Sequence, residues 1–167
     1  MDEKEIKKKI LIVSHSMEIG GAERALIGLL NSIDTDKYDV DLFLYRHEGE
    51  FMKFIPKRIN LLQANKSYAQ MAVPIVSAIK SGKLGIVYGR YTTKYRANRY
   101  VNKHFPNTDN QVELTYSHKY TVKYMPMMSE KEYDLAISFL TPHYYAAEKV
   151  RAKKRLRGYI PTIHLST

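Results

Sequence analysis

Residues 9–24 constrain the fold more than any other stretch. Lys-Ile-Leu-Ile-Val-Ser is a near-continuous apolar run, His-Ser-Met-Glu-Ile-Gly-Gly is a short turn closing on paired glycines, and Ala-Glu-Arg opens an apolar helix. The run suits a strand covered on both faces. A helix start leaves backbone N–H groups without intrahelical partners and carries the positive end of the macrodipole, so a phosphate docks there when nothing blocks its approach. Gly20 and Gly21, lacking Cβ, supply that clearance and accept a left-handed backbone. The plain alternative is a tight strand-to-helix turn that binds nothing. Neither G-x-x-x-x-G-K-[ST] nor G-x-G-x-x-G occurs, so a Walker-type site is not expected and the dinucleotide fingerprint is missing.

The rest of the chain alternates between strand and helix patterns. Residues 21–33 place Ala22, Ala25, Leu26, Leu29, Leu30 and Ile33 on one helical face. Residues 38–45 begin with alternating polarity and turn continuously apolar, as a strand entering a covered sheet does. Residues 59–62 predict a third strand, and residues 71–81 and 84–101 predict two helices broken around Gly82, with Pro74 in the first turn of the former. Residues 133–140 predict another buried strand, followed by Pro142 and a helix over 144–150. Residues 153–157 then lead into a final strand at 159–164, while 102–128 carry no readable pattern. Such alternation predicts an α/β fold with a Rossmann-like, doubly wound parallel sheet. A length of 167 residues fits one domain.

Charge is concentrated in one segment. Residues 51–108 contain eleven Lys and Arg and no Asp or Glu, which more than accounts for the net charge of +10. An anionic partner is expected there. Within the segment, Leu84, Val87, Tyr88, Tyr91 and Tyr95 recur at steps of three and four, with Arg90, Lys94 and Arg99 off that stripe. Three readings follow: a membrane-surface helix, a nucleic-acid face with stacking tyrosines, or an ordinary solvated helix whose tyrosines reach the core.

Ligands of doubly wound sheets sit outside the carboxyl ends of the strands. That rule selects Ser14, His15 and Ser16 after the first strand, Ser138 and Thr141 after the later one, and His164 after the last, all lining one crevice. His15 has the alternative of capping the sheet edge. Glu23, in the first helical turn, compensates the helix dipole by about 0.3–1 kcal/mol and needs no catalytic role. The histidines at 47, 104, 118 and 143 show no ligand spacing, so no metal site is expected. Cysteine is absent, which excludes disulfides and thiolate metal sites, and no apolar run approaches the roughly 20 residues of a membrane span.

Ile10 to Ser14, Gly20-Gly21-Ala22-Glu23-Arg24 with the leucine-rich helix after it, and the closing Ile160-Pro161-Thr162-Ile163-His164-Leu165-Ser166-Thr167 together resemble the amino-terminal half of GT-B glycosyltransferases, specifically the large retaining family four. The resemblance implies two Rossmann-like domains facing across a cleft, of which this chain is the acceptor-side one. The nucleotide-sugar domain, with its two glutamates separated by seven residues, is absent from the sequence. The closing segment looks like the family's T-[IF]-H-x-S, which makes His164 the candidate catalytic-site residue, a hydrogen-bonding group on the donor sugar or its phosphate rather than a nucleophile. Gly20 and Gly21 would face the donor phosphates or sugar, and His15, Ser16, Ser138 and Thr141 would line the acceptor side.

The implied reaction moves a sugar from a nucleotide diphosphate to an acceptor hydroxyl with retained anomeric configuration. It uses no cofactor, since the nucleotide-sugar is a substrate. A glycan or lipid-linked acceptor, in cell-surface polysaccharide or glycolipid synthesis, and an anionic membrane surface met by Arg90, Lys94 and Arg99 are the implied partners. The expected location is the cytoplasm, with a peripheral seat on the inner face of the cell membrane. The alternative is a non-catalytic basic module that binds nucleic acid or an anionic lipid surface. No RNP-like, KH-like or helix-turn-helix signature supports nucleic acid.

Overall fold

The computed structural model describes residues 6–69, 84–104, 118–140 and 143–158. The chain divides into two compact units: the described parts of 1–64, 131–141 and 152–167 form one, and those of 65–130 and 142–151 form the other.

The first unit is built on strands β1 (Lys8–Ser14), β2 (Tyr38–Leu44), β3 (Asn60–Leu61), β4 (Glu132–Phe139) and β5 (Arg151–Gly158), with helix α1 (Gly21–Ser32) between the first two. The sheet runs β3-β2-β1-β4-β5 and is parallel throughout, an α/β Rossmann-like arrangement as the alternating pattern predicts. β1 lies at its centre, and Leu11, Ile12 and Val13 are fully buried because both faces of a central parallel strand are covered. Ile10 and Ile12 of β1 and Val40, Leu42 and Leu44 of β2 pack with Leu26 and Leu30 of α1 into one core. Removing the two leucines from water contributes about 1.5–3 kcal/mol each. The helical face is narrower than its spacing predicts: Ala25 is exposed, and Ala22, Leu29 and Ile33 are only half-buried. α1 ends before a turn in which the Asp34 carboxylate accepts the Asp36 N–H at 2.9 Å and the Asp34 carbonyl accepts the Tyr38 N–H at 3.1 Å, aiming the chain into β2.

β3 is shorter than residues 59–62 predict, though the Leu62 N–H still reaches the Leu42 carbonyl at 2.9 Å. β5 departs further. Residues 153–157, read as a lead-in, belong to the strand itself, which begins at Arg151. The polar sequence hid it because β5 is the last strand of the described sheet, and an edge strand needs little apolar surface and is protected by cations. The predicted strand at 159–164 lies outside the described residues.

The second unit holds helices α2 (Lys66–Ala69), α3 (Leu84–His104) and α4 (Tyr144–Glu148) and a 3₁₀ turn at Val122–Tyr124. Its centre is aromatic: Tyr68 and Tyr145, both fully buried, meet edge-to-face at 5.5 Å, and His118 stacks on Tyr145 at 4.5 Å. The tyrosine hydroxyls are satisfied, that of Tyr68 donating to the Pro126 carbonyl at 2.6 Å and that of Tyr145 sharing a 2.7 Å bond with Thr121 Oγ1. α3 runs past the predicted end at 101 to His104. The helix predicted at 71–81 lies outside the described residues.

Candidate functional site

After β3 the chain returns to the far side of β1 to form β4, so the strand order reverses between β1 and β4. A ligand site is expected at the carboxyl ends flanking that reversal. Val13 of β1 is the register partner of Ser138 of β4, which brings Ser14, His15 and Ser16 to the same sheet end as Ser138, as the sequence predicts. Their exposure is lower than a cleft lining would have: Ser16 and Ser138 are 4% and 1% accessible. His15 is half-buried and is the candidate at this end able to meet a ligand. Thr141 and His164 lie outside the described residues.

Backbone bonds stitch the loop after β1 to the loop after β2. The Arg46 N–H donates to the His15 carbonyl at 2.9 Å, the Met17 N–H to the Glu48 carbonyl at 2.9 Å, and the Phe51 N–H to the Met17 carbonyl at 2.8 Å. The seam requires Gly49, which has φ +109° and where a Cβ would strike the Met17 carbonyl. The His15 ring meets the edge of Tyr45 at 5.7 Å, and its Nδ1 lies 3.5 Å from Ser16 Oγ. Burial and then the Arg46 guanidinium hold the His15 pKa below its usual value against the opposing pull of Glu23, Glu18 and Glu48. The neutral imidazole is therefore favoured, a hydrogen-bonding group rather than a cation.

Of the two residues that follow, the sequence pattern gives Arg46 no role and sets His47 aside only as a metal ligand. Arg46 donates to Glu48 Oε2 at 2.9 Å, yet its Nε and the Nε2 of His47 are buried with no hydrogen-bond partner among the described residues. Their signal was positional: both follow directly on the apolar run of β2, at the sheet end where ligands bind.

The glycine turn differs from its expected geometry. Gly20 is extended (φ −166°, ψ 167°), so no left-handed backbone is used there. The Glu23 carboxylate folds back over Gly20, where an added Cβ would meet its Oε2. It supplies the negative charge that complements the helix dipole, and an incoming phosphate would share that field with it. Gly21 is exposed, and an added Cβ would touch nothing within 4 Å. Clearance for a ligand is thus real at Gly21 and filled by the chain's own carboxylate at Gly20.

The acid-free segment is divided: Lys53, Lys57 and Arg58 lie in the first unit, and α3 with Lys94 and Arg99 in the second. Tyr88, Tyr91 and Tyr95 are 63%, 72% and 68% exposed, which overturns the reading in which they reach the core. Lys94 and Arg99 are exposed as well, while the Arg90 side chain is outside the described residues. Among the described side chains of α3, Thr93 is the buried one, on the side of the helix opposite Tyr88, Tyr91 and Tyr95.

At the amino end of the strands, Lys9, Asp39, Asp41, Arg58, Lys131 and Tyr133 line a cleft of ≈ 660 Å³. Several of its polar groups are tied into the fold: Asn60, Lys131 and Tyr133 bond Asp41, and Arg58 donates to the Asn31 carbonyl at the end of α1. Among the described residues no three His, Cys, Asp or Glu gather to hold a metal, and no helix is long and apolar enough to cross a membrane. No family model, curated protein or solved structure matches the chain.

Proposed function

We propose that this chain is the acceptor-side half of a GT-B, family-four retaining glycosyltransferase that moves a sugar from a nucleotide-sugar to an acceptor hydroxyl in cell-surface polysaccharide or glycolipid synthesis. One observation carries most of the support: the helix opened by Gly20-Gly21 and the histidine-bearing loop after β1 converge on the sheet end where the strand order reverses. His15, kept neutral, would hydrogen-bond an acceptor hydroxyl, and Gly21 would let a donor phosphate or sugar approach the helix start. His164 would orient the transferring sugar, and the resemblance in residues 10–24 and 160–167 assigns that role. The chemistry needs no cofactor, the donor's nucleotide being the leaving group. The work would be done at the cytoplasmic face of a membrane.

The test is an assay of the whole gene product with labelled nucleotide-sugars and a lipid and glycan extract. Labelled transfer that disappears in Gly21→Val, with unchanged melting, is the expected result. Transfer at the wild-type rate in that variant would remove the glycine turn from the site, and no transfer from any donor would overturn the enzyme reading.

A further inference from the structure

We infer that the exposed face of α3 is a docking surface for an anionic phospholipid bilayer, with its tyrosines at the head-group boundary and its cations on the lipid phosphates. This inference shares the membrane surface of the transferase reading but is argued from the helix's own residues, so failure of sugar transfer would leave it standing and failure of lipid binding would leave the transferase reading standing. At 100° per residue, Tyr88, Tyr91 and Tyr95 fall within about 60° of one another, with Lys94 about 60° to one side and Arg99, Lys103 and Arg96 about 20–80° to the other. All four cations are exposed, and the acid-free segment 51–108 leaves no carboxylate on the helix to neutralise them. Arg96 also rests over the Tyr120 ring at 5.7 Å, while Thr93, on the opposite side of the helix, is buried.

An aromatic centre flanked on both sides by cations is the cross-section of a helix lying in a membrane interface. The rings enter the boundary and the long cationic side chains reach back to the head groups. Tyrosine suits that depth because its ring is apolar and its hydroxyl remains wet. The face is the convex side of a helix and runs about 22 Å from Tyr88 to Lys103, so it meets a plane along its length, whereas a single strand of nucleic acid is held in a groove. A second copy is disfavoured as occupant because the two cationic faces would repel. Three tyrosines are a small apolar payload, so binding must depend on lipid charge and weaken with salt.

The chain contains no tryptophan, so Tyr91→Trp creates a single reporter. With phosphatidylcholine vesicles containing phosphatidylglycerol, the reporter is expected to shift to the blue and the protein to sediment with the vesicles. Neither should occur with phosphatidylcholine alone. Lys94→Gln and Arg99→Gln should each lower vesicle affinity about fivefold. Adding Tyr88→Ser and Tyr95→Ser to the reporter should abolish the blue shift while far-UV circular dichroism stays unchanged. The inference fails if anionic vesicles leave the emission unmoved, if oligothymidylate shifts it at lower concentration than the vesicles do, or if the shift grows with protein concentration and no lipid.

Discussion

The Tyr133 hydroxyl donates to Asp41 Oδ2 at 2.7 Å, joining β2 to the start of β4 across 92 positions of sequence. Asn60 Nδ2 reaches Asp41 Oδ1 at 2.6 Å and Lys131 Nζ reaches Oδ2 at 2.9 Å, so one carboxylate ties β2, β3 and the entry to β4 together. Truncating it removes all three bonds at once and takes this acceptor from the buried Tyr133 hydroxyl. Asp41→Ala is expected to lower unfolding free energy by about 2–3 kcal/mol, and Tyr133→Phe by about 1 kcal/mol, since Lys131 is half-exposed and its share is screened. Urea midpoints at constant m-value measure both.

The same carboxylate makes stability depend on pH. Burial raises the pKa of Asp41, but bonds from Lys131, Asn60 and Tyr133 outweigh it and leave the value below the usual carboxylate range. The stabilisation is therefore complete above the unfolded value near ~4 and disappears as pH falls through the lower folded value. Acid unfolding curves should be flatter in Asp41→Asn than in the wild type, and identical slopes would contradict this.

The two glycine sites should part company in a stability measurement. Gly49→Ala combines a positive φ with a collision on the Met17 carbonyl and is expected to cost about 2 kcal/mol or more. Gly21→Ala meets open space in a helical first turn and should leave the melting temperature within a degree or two, about the effect of a few tenths of a kcal/mol. A large loss from the latter would show that the Gly21 environment is not open.

Leu140, directly after β4, holds φ 54° with a branched side chain that is 40% exposed. Left-handed backbone costs an ordinary residue about 1–2 kcal/mol and glycine nothing, though glycine loses more freedom on folding. Leu140→Gly is expected to stabilise the fold by up to about 1 kcal/mol, read as a raised melting temperature. If its side chain serves the reversal-point site, transfer activity should fall in the same variant.

His15 should titrate below an exposed histidine. Because its folded pKa is lowered, its contribution to stability is complete above the unfolded value near ~6.5 and is lost as pH falls through the folded one. Arg46→Gln removes one of the two causes and should move the His15 midpoint upward in a nuclear magnetic resonance titration. A midpoint unmoved by that variant would leave burial as the whole cause.

The sheet was legible because its central strands are apolar without interruption: residues 10–13 and 42–45 read as covered parallel strands and are buried. β5 was misplaced for the opposite reason, since an edge strand of Arg and Lys carries no burial signal. The location of Ser14, His15, Ser16 and Ser138 at one sheet end is legible from position, because the carboxyl-end rule needs only strand ends and their order. How deeply Ser16 and Ser138 are buried was not in that rule. Gly49 and Arg46 carry no such signal, and His47 only that of a histidine without ligand spacing, because their places arise from a loop pairing with another loop.

Sequence alone determined the elements whose causes are local: the glycine-led helix after β1, the cysteine-free composition, and the acid-free segment that makes α3 cationic. Tertiary structure decided which face of each element meets water. Spacing at three and four marks residues that share a helical face, but it is blind to what packs beside that face. That is why the spacing of Tyr88, Tyr91 and Tyr95 leaves core and surface readings open and the structure puts the three outside, and why Asp41, one polar letter in β2, becomes the buried joint of three strands.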